Sequence, residues 1–231
     1  MSLAKAVGLK VSAVERFEVG DKVCILIQRY DRTAATDGTV TRIHQEDFCQ
    51  ALGFPPEHKY QQEGGPLLRD CVALLRERST APVLDIRDFI DGQIFNVLVG
   101  NADAHGKNYS MLYQDGQRRL APFYDLVCTL AWPELSKTPA MKIGGSPSLD
   151  VFTAAPWQKM AQESRLGWPM IRERIEALCT KATDALRGSA LCEVMTGQME
   201  ERVAAFAQER ASNFLSSRPF SRDIGSWKLL C

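Results

Sequence analysis

The chain has 231 residues, 45% hydrophobic and 24% charged, with 28 Lys and Arg balanced by 28 Asp and Glu. That length supports one sizeable core or two small lobes, and the balance of charge gives no reason to expect direct nucleic-acid or membrane-surface binding. Seven cysteines without a Cys-x-x-Cys pair fit reduced thiols in the cytoplasm, three histidines argue against a zinc site, and no apolar run is long enough for a membrane span.

Residues 3–8 read as a short helix. Ser12–Val19 and Lys22–Tyr30 read as two strands joined at Gly20-Asp21. In the second, Val23, Ile25 and Ile27 alternate with Cys24, Leu26 and Gln28, so both faces are largely apolar, the pattern of a buried strand. Arg32–Thr39 reads as a polar loop, Val40–Ile43 as a short strand, and Gln45–Leu52 as a helix stopped by Gly53 and Pro55-Pro56. Gln45, Glu46 and Asp47 then fall in a first helical turn, where carboxylates complement the dipole. Gln61–Gly65 is a glycine-containing loop that matches neither Gly-x-Gly-x-x-Gly nor a Walker A loop, so it gives no phosphate cradle. Pro66 opens a helix over Leu67–Arg78 with Leu68, Cys71, Leu74 and Leu75 on one face. Leu84–Gly100 is the most apolar helix. It is a core element, ended by its glycine, that delivers the next loop on a firm support.

That loop, residues 101–125, concentrates the chemistry. Asp115-Gly116 between Ser110–Gln114 and Gln117–Ala121 is a hairpin signal, because both turn residues must tolerate positive φ. The hairpin brings Asn108 and Asp125 towards each other. Asp103, then Asn108, then Asp125 beyond a hairpin is the arrangement that phosphoryl transfer requires: an aspartate for the acceptor hydroxyl, then Asn and Asp to hold Mg²⁺ against nucleotide phosphates. A lone Asp-x-x-x-x-Asn is mostly an ordinary turn. Here the density of distinct polar groups, the hairpin and the apolar helix before it weigh against that reading. Lys107 suits neutralising a transferring phosphate, against the alternative of a solvated loop lysine. His105 has two readings, a contact to catalytic or nucleotide groups or a hydrogen-bonded pin for the loop. Further on, Leu126–Ala131 reads as helix and Met141–Ile143 as a short strand. Pro156–Ser164, Pro169–Arg187 and Ser189–Leu215 read as helices, with a polar tail from Ser216.

Asn101-Ala-Asp103-Ala-His105-Gly-Lys107-Asn108, followed by Leu120-Ala-Pro122-Phe-Tyr124-Asp125, resembles the HipA-type serine/threonine kinases of bacterial toxin–antitoxin systems. The resemblance extends to Gln28-Arg-Tyr30-Asp31-Arg32, to Arg42-Ile-His-Gln45-Glu46-Asp47, to Lys59-Tyr60 with Gly64-Gly65-Pro66, and to Ala140-Met-Lys142-Ile-Gly144, covering most of residues 1–145. It implies ATP and Mg²⁺, with Asp103 as catalytic base, and Asn108 and Asp125 as metal ligands. Gln28, Tyr30 and Asp31 match an interlobe hinge that holds adenine and ribose, with Glu in most relatives where Gln28 stands. Gln45 and His105 take nucleotide-side positions. The implied fold is α+β: a short β remnant of a small lobe over residues 1–30, and a mainly helical kinase-like large lobe over residues 31–231 with a β-hairpin at the site. The implied partners are a protein with a Ser or Thr acceptor, an aminoacyl-tRNA synthetase among the candidates, and a DNA-binding antitoxin. A kinase small lobe also needs a glycine-rich loop and a strand lysine, and neither is visible. Three readings stay open: a fragment of a longer kinase, a small lobe supplied by a separate polypeptide, or a catalytically silent relative that binds a partner. A small-molecule acceptor is a further alternative.

Overall fold

The computed structural model describes residues 1–149, 152–187 and 198–216. In chain order the elements are α1 (Ser2–Ala6), β1 (Val14–Val19), β2 (Lys22–Ile27), β3 (Arg32–Ala34), β4 (Val40–Arg42), β5 (His44–Asp47), α2 (Phe48–Leu52), α3 (Leu68–Arg78), α4 (Pro82–Val99), β6 (Ser110–Gln114), β7 (Gln117–Leu120), α5 (Ala154–Glu163), α6 (Trp168–Arg187) and α7 (Gln198–Ser216).

The most apolar segment becomes the centre. Proline at the first turn starts α4, where its missing N–H is no loss, and Gly100 ends it in the left-handed region at φ 71°. Phe89, Ile90, Ile94 and Leu98 are fully buried, and α3, α6 and α7 pack around the helix. Two ion pairs fix its neighbours. Asp85 accepts from Arg119 Nη2 at 2.9 Å and ties α4 to the β6–β7 hairpin. Asp91 accepts from Arg174 Nη2 at 2.6 Å and ties α4 to α6. At the N-terminus α1 packs on α6, and Ala4 and Val7 join the core.

The strands form three small antiparallel sheets, β1-β2, β3-β4 and β5-β6-β7. Asp115 and Gly116 both have positive φ, 51° and 74°, so the expected tight turn joins β6 to β7. Four local expectations fail for identifiable reasons. Gln45–Asp47 is a strand, not a first helical turn: it pairs with β6, Gln45 opposite Leu112 and Asp47 opposite Ser110. The helix begins only at Phe48, capped by Asp47, whose Oδ1 accepts from Gln50 N at 2.8 Å. Part of the expected 32–39 loop is strand, because Arg32–Ala34 pairs with β4. Leu126–Ala131 gives only a short 3₁₀ turn at Thr129–Ala131, since Leu130 N bonds to Gly100 O at 3.1 Å and Thr129 Oγ1 accepts from Ala102 N at 2.7 Å. Met141–Ile143 forms no strand: Lys142 N donates to Gln61 Oε1 at 2.8 Å, and a 3₁₀ turn follows at Ile143–Gly145.

The buried strand is a further correction. All six residues of β2 are exposed, Ile25 by 74%. Apolar faces state what a strand can bury, and in its sheet β2 has only β1 as neighbour. The helix expected over Ser189–Leu215 is observed from Gln198; residues 188–197 and the tail from 217 lie outside the described residues. Among the described residues no helix is long and apolar enough to cross a membrane.

Candidate functional site

The loop after α4 is built by asparagines and one close glycine. Asn101 Nδ2 donates to Asn96 Oδ1 at 2.9 Å, and Asn101 Oδ1 accepts from Asp103 N at 3.1 Å, so the helix end sets the first loop residues. Asn96 in turn donates to Tyr109 Oη at 2.8 Å, tying the loop's exit to the same helix. A 3₁₀ turn at Gly106–Asn108 follows. Its glycine is there for room: a Cβ on Gly106 would lie 2.6 Å from Pro66 Cγ and 2.7 Å from Cys49 Sγ.

The hairpin return has its expected consequence. Asn108 Nδ2 donates to Asp125 Oδ2 at 2.7 Å across 17 residues of sequence, while Asn108 Oδ1 accepts from His105 N at 3.3 Å. Asp125 is held at φ 55°, the left-handed region that a residue with a Cβ seldom adopts. Lys107 and Tyr124, the residues just before these two, both line a cavity of about 450 Å³. Tyr124 Oη donates to Lys107 O at 2.5 Å, and Lys107 Nζ reaches Pro56 O at 3.3 Å.

Of the residues expected on the nucleotide side, Asp31 and Gln45 also line this cavity. Tyr30 joins through Gln45, donating to its Oε1 at 2.5 Å, and its ring lies 6.0 Å from that of Tyr124. Asp31 is clasped by Arg29, at 2.8 and 2.7 Å, and by Arg32. Hydrogen bonding from Arg29 holds its carboxyl below the usual range. Gln28 does not line the cavity; its backbone N–H pairs with Ala13 O at 2.9 Å.

Asp103 stands on the other side of the loop. It shares a second cavity, about 290 Å³, with Tyr60, Thr129, Leu135, Thr138 and Pro139. Tyr60 Oη donates to Asp103 Oδ1 at 2.9 Å. His105 lies beneath, its ring edge-on to Tyr60 at 5.4 Å. Burial and then the charge of Lys59 push its imidazole below the ordinary value, which favours the neutral form. Its Nδ1 has no hydrogen-bond partner among the described residues, and the pinning contact made by this residue is backbone, His105 N to Asp103 O at 2.8 Å. Among the described residues no three of His, Cys, Asp and Glu cluster as a metal nest. The oxygen donors on offer are Asn108 Oδ1 and the Asp125 carboxylate, hard ligands of the kind Mg²⁺ takes when phosphates and water complete its shell.

Sequence reasoning did not single out Arg42, His44, Asp47, Ser110 and Tyr124 as cavity residues, nor Tyr60 as the partner of Asp103. Most of these stand inside the motifs quoted for the resemblance, which was the available signal.

Residues 1–186 match the family model of the HipA-like C-terminal domain. The chain belongs to this family. Among curated relatives of this HipA-like chain, a putative kinase, Y4mE, from Sinorhizobium fredii is 48% identical over 186 residues, 80% of this chain and 44% of its own length. The serine/threonine-protein kinase toxin HipA of Shewanella oneidensis is 35% identical over 180 residues, 73% of this chain and 41% of its own. The chain thus spans less than half the length of these relatives. In three dimensions it superposes on Shewanella oneidensis HipA, solved with HipB and operator DNA, with a TM-score of 0.89 at 23% identity, covering 98% of this chain and 57% of that one. It matches the Helicobacter pylori proinflammatory kinase CtkA with a TM-score of 0.57 at 15% identity, covering 93% and 81%. The fold is therefore α+β and kinase-like.

Proposed function

We propose that this chain carries the phosphoryl-transfer lobe of an ATP- and Mg²⁺-dependent protein serine/threonine kinase of the HipA type. The observation that carries the reading is the 2.7 Å contact of Asn108 with Asp125, beside the larger cavity and on the same loop as Asp103. The acceptor hydroxyl approaches from the Asp103 side. Its oxygen bonds to the γ-phosphorus, the bond from that phosphorus to the bridging oxygen breaks, and ADP departs. Asp103 orients the hydroxyl and takes its proton. Lys107, on the cavity wall, offsets charge on the moving group. Asn108 and Asp125 would hold Mg²⁺, which when bound neutralises the phosphates. Tyr30, Asp31 and Gln45 form the nucleoside side, while Gln28 and His105, outside the cavity wall, would support it from the backbone after β2 and from the loop.

Residues 1–30 in this reading carry a remnant of the small lobe, the β1–β2 ribbon, with α1 docked on α6 of the catalytic lobe that spans 31–231. The two apolar, exposed faces of β2 suit further strands and a covering layer. An upstream segment or a separate small-lobe polypeptide would supply them, together with the glycine-rich loop and strand lysine. By analogy with the HipA–HipB–DNA assembly of the Shewanella relative, a DNA-binding antitoxin is a second partner. The acceptor is a Ser or Thr of a protein, an aminoacyl-tRNA synthetase among the candidates. The five described cysteines are free, as suits the cytoplasm.

Calorimetric titration of ATP with Mg²⁺ into the chain, repeated on Asp125→Ala, tests the site. Metal-dependent heat that the variant loses is the expected result. No heat in a folded wild type would favour the second reading, a catalytically silent module that binds partners, to which the exposed β1–β2 ribbon is the specific pointer.

A further inference from the structure

The Gly64-Gly65-Pro66 run matches no phosphate-cradling pattern, yet its geometry is tightly set. A Cβ on Gly65 would lie 2.5 Å from His58 O and 2.8 Å from Tyr60 O, so the turn closes on its own backbone and admits no side chain there. Gly65 N and Glu63 N both donate to Tyr60 O, at 2.9 and 3.0 Å. Gln61 N reaches Ala140 O at 2.9 Å, and Gln61 Oε1 accepts from Lys142 N. Pro66 meets Gly106 of the 103–108 loop. Tyr60 is thus anchored by its own turn, by the 140–142 segment and by His105, and its hydroxyl ends on Asp103 Oδ1 at 2.9 Å.

We propose that this turn is a brace for Asp103, and that Tyr60 is the positioning residue in it: its hydroxyl holds one carboxylate oxygen so that the other serves the acceptor hydroxyl in the 290 Å³ cavity. The catalytic half of this proposal rests on the kinase reading above. An aspartate on a loop turns freely about two bonds. A donor bonded to the ionised carboxylate makes a stronger contact than one between neutral groups, and it removes that freedom before the acceptor arrives. The glycines are therefore needed for the path of the turn, which sets where the phenol points.

The test uses the 231-residue chain as wild type, Tyr60→Phe, Asp103→Ala and the double variant, with three readouts: unfolding midpoint, Mg²⁺-dependent ATP affinity, and phosphoryl transfer to casein as the hydroxyl probe. Tyr60→Phe keeps the ring and loses only the hydroxyl. The expected result is ATP affinity unchanged within about 2-fold, kcat lower by about 10-fold or more, no further loss from Tyr60→Phe once Asp103 is replaced by Ala, and midpoint shifts that fail to add. Equal turnover of Tyr60→Phe and wild type overturns the proposal, and so do additive midpoint shifts. A wild type that neither transfers phosphate nor binds ATP with Mg²⁺, and whose midpoint shifts still couple, counts against the kinase reading and leaves the brace standing.

Discussion

Replacing Gly92 by Ala should destabilise the protein, although helix propensity alone says the opposite. Gly92 lies in the interior of α4, where Ala is better than Gly by about 1 kcal/mol. The added Cβ would stand 2.6 Å from Phe123 Cζ and 2.8 Å from Cε1. Phe123 has nowhere to retreat. It is 3% exposed, its ring meets Tyr109 edge-on at 6.2 Å, and its backbone is bonded on both sides, N–H to Lys10 O at 2.8 Å and C=O from Ser12 N at 2.9 Å. Forcing a methyl into such a core costs about 1–3 kcal/mol. Overpacking offsets or exceeds propensity, leaving a net loss of up to about 2 kcal/mol, or a thermal midpoint lower by up to about 8 °C for a chain of this size. Phe123 is two residues before Asp125, so the displacement also reaches the proposed metal ligand, and Mg²⁺-dependent ATP binding should weaken with it. Thermal unfolding and calorimetry on Gly92→Ala, Phe123→Leu and the pair check this. In the Phe123→Leu background the same alanine should be neutral or stabilising, because the far end of the ring is gone. A Gly92→Ala protein that melts above wild type would refute the reasoning.

Three further outcomes are expected. Asp85→Ala strips the acceptor from Arg119, from Ser79 Oγ at 2.6 Å and from Leu120 N at 3.0 Å; it should cost about 3 kcal/mol, and a midpoint within about 2 °C of wild type would show that the buried pair adds nothing. His105 has a folded pKa below its ordinary 6.5, so the unfolded chain binds the proton more tightly; stability is then full above about 6.5 and is lost as pH falls below it. Denaturant titrations from pH 7 to 5 should flatten in His105→Gln, and an unaltered slope would assign the acid sensitivity elsewhere. Ile25→Ser should change stability by less than about 0.5 kcal/mol, as exposed positions do; a core-sized loss in urea melts would mean that β2 is covered in solution.

What could be read from residues alone was whatever nearest neighbours decide. Asp115-Gly116 fixes a tight turn because both residues accept positive φ, and Gly100 ends α4 because it fits a helix end, whereas the start at Pro82 lies two residues before the expected Leu84. The Asn108–Asp125 contact followed from the hairpin, since pairing β6 with β7 returns the chain to its start. Gln45–Asp47 misled because its acidic run is equally good as a helical first turn. What selects strand is the free edge of β6, more than sixty residues away in sequence, which no window around Gln45 contains. Leu126–Ala131 misled in the same way: Leu130 N goes to Gly100 O at the end of α4 and Thr129 Oγ1 accepts from Ala102 N, so only the short turn closed by Ala131 N on Cys128 O remains.

The same distinction separates the two halves of the candidate site. Asn108 and Asp125 lie within one supersecondary unit, so the sequence that writes the hairpin also writes their encounter. Asp103 and Tyr60 lie 43 residues apart on different turns. Their meeting depends on α3 packing against α4 and on Pro66 lying against Gly106. Spacing can nominate an aspartate as a base, but how its carboxylate is held is a property of the packed core. On the proposed reading, Gly65 therefore belongs to the chemistry as much as to the fold. It decides the path of the turn that carries Tyr60, and so which oxygen of Asp103 is left for a substrate.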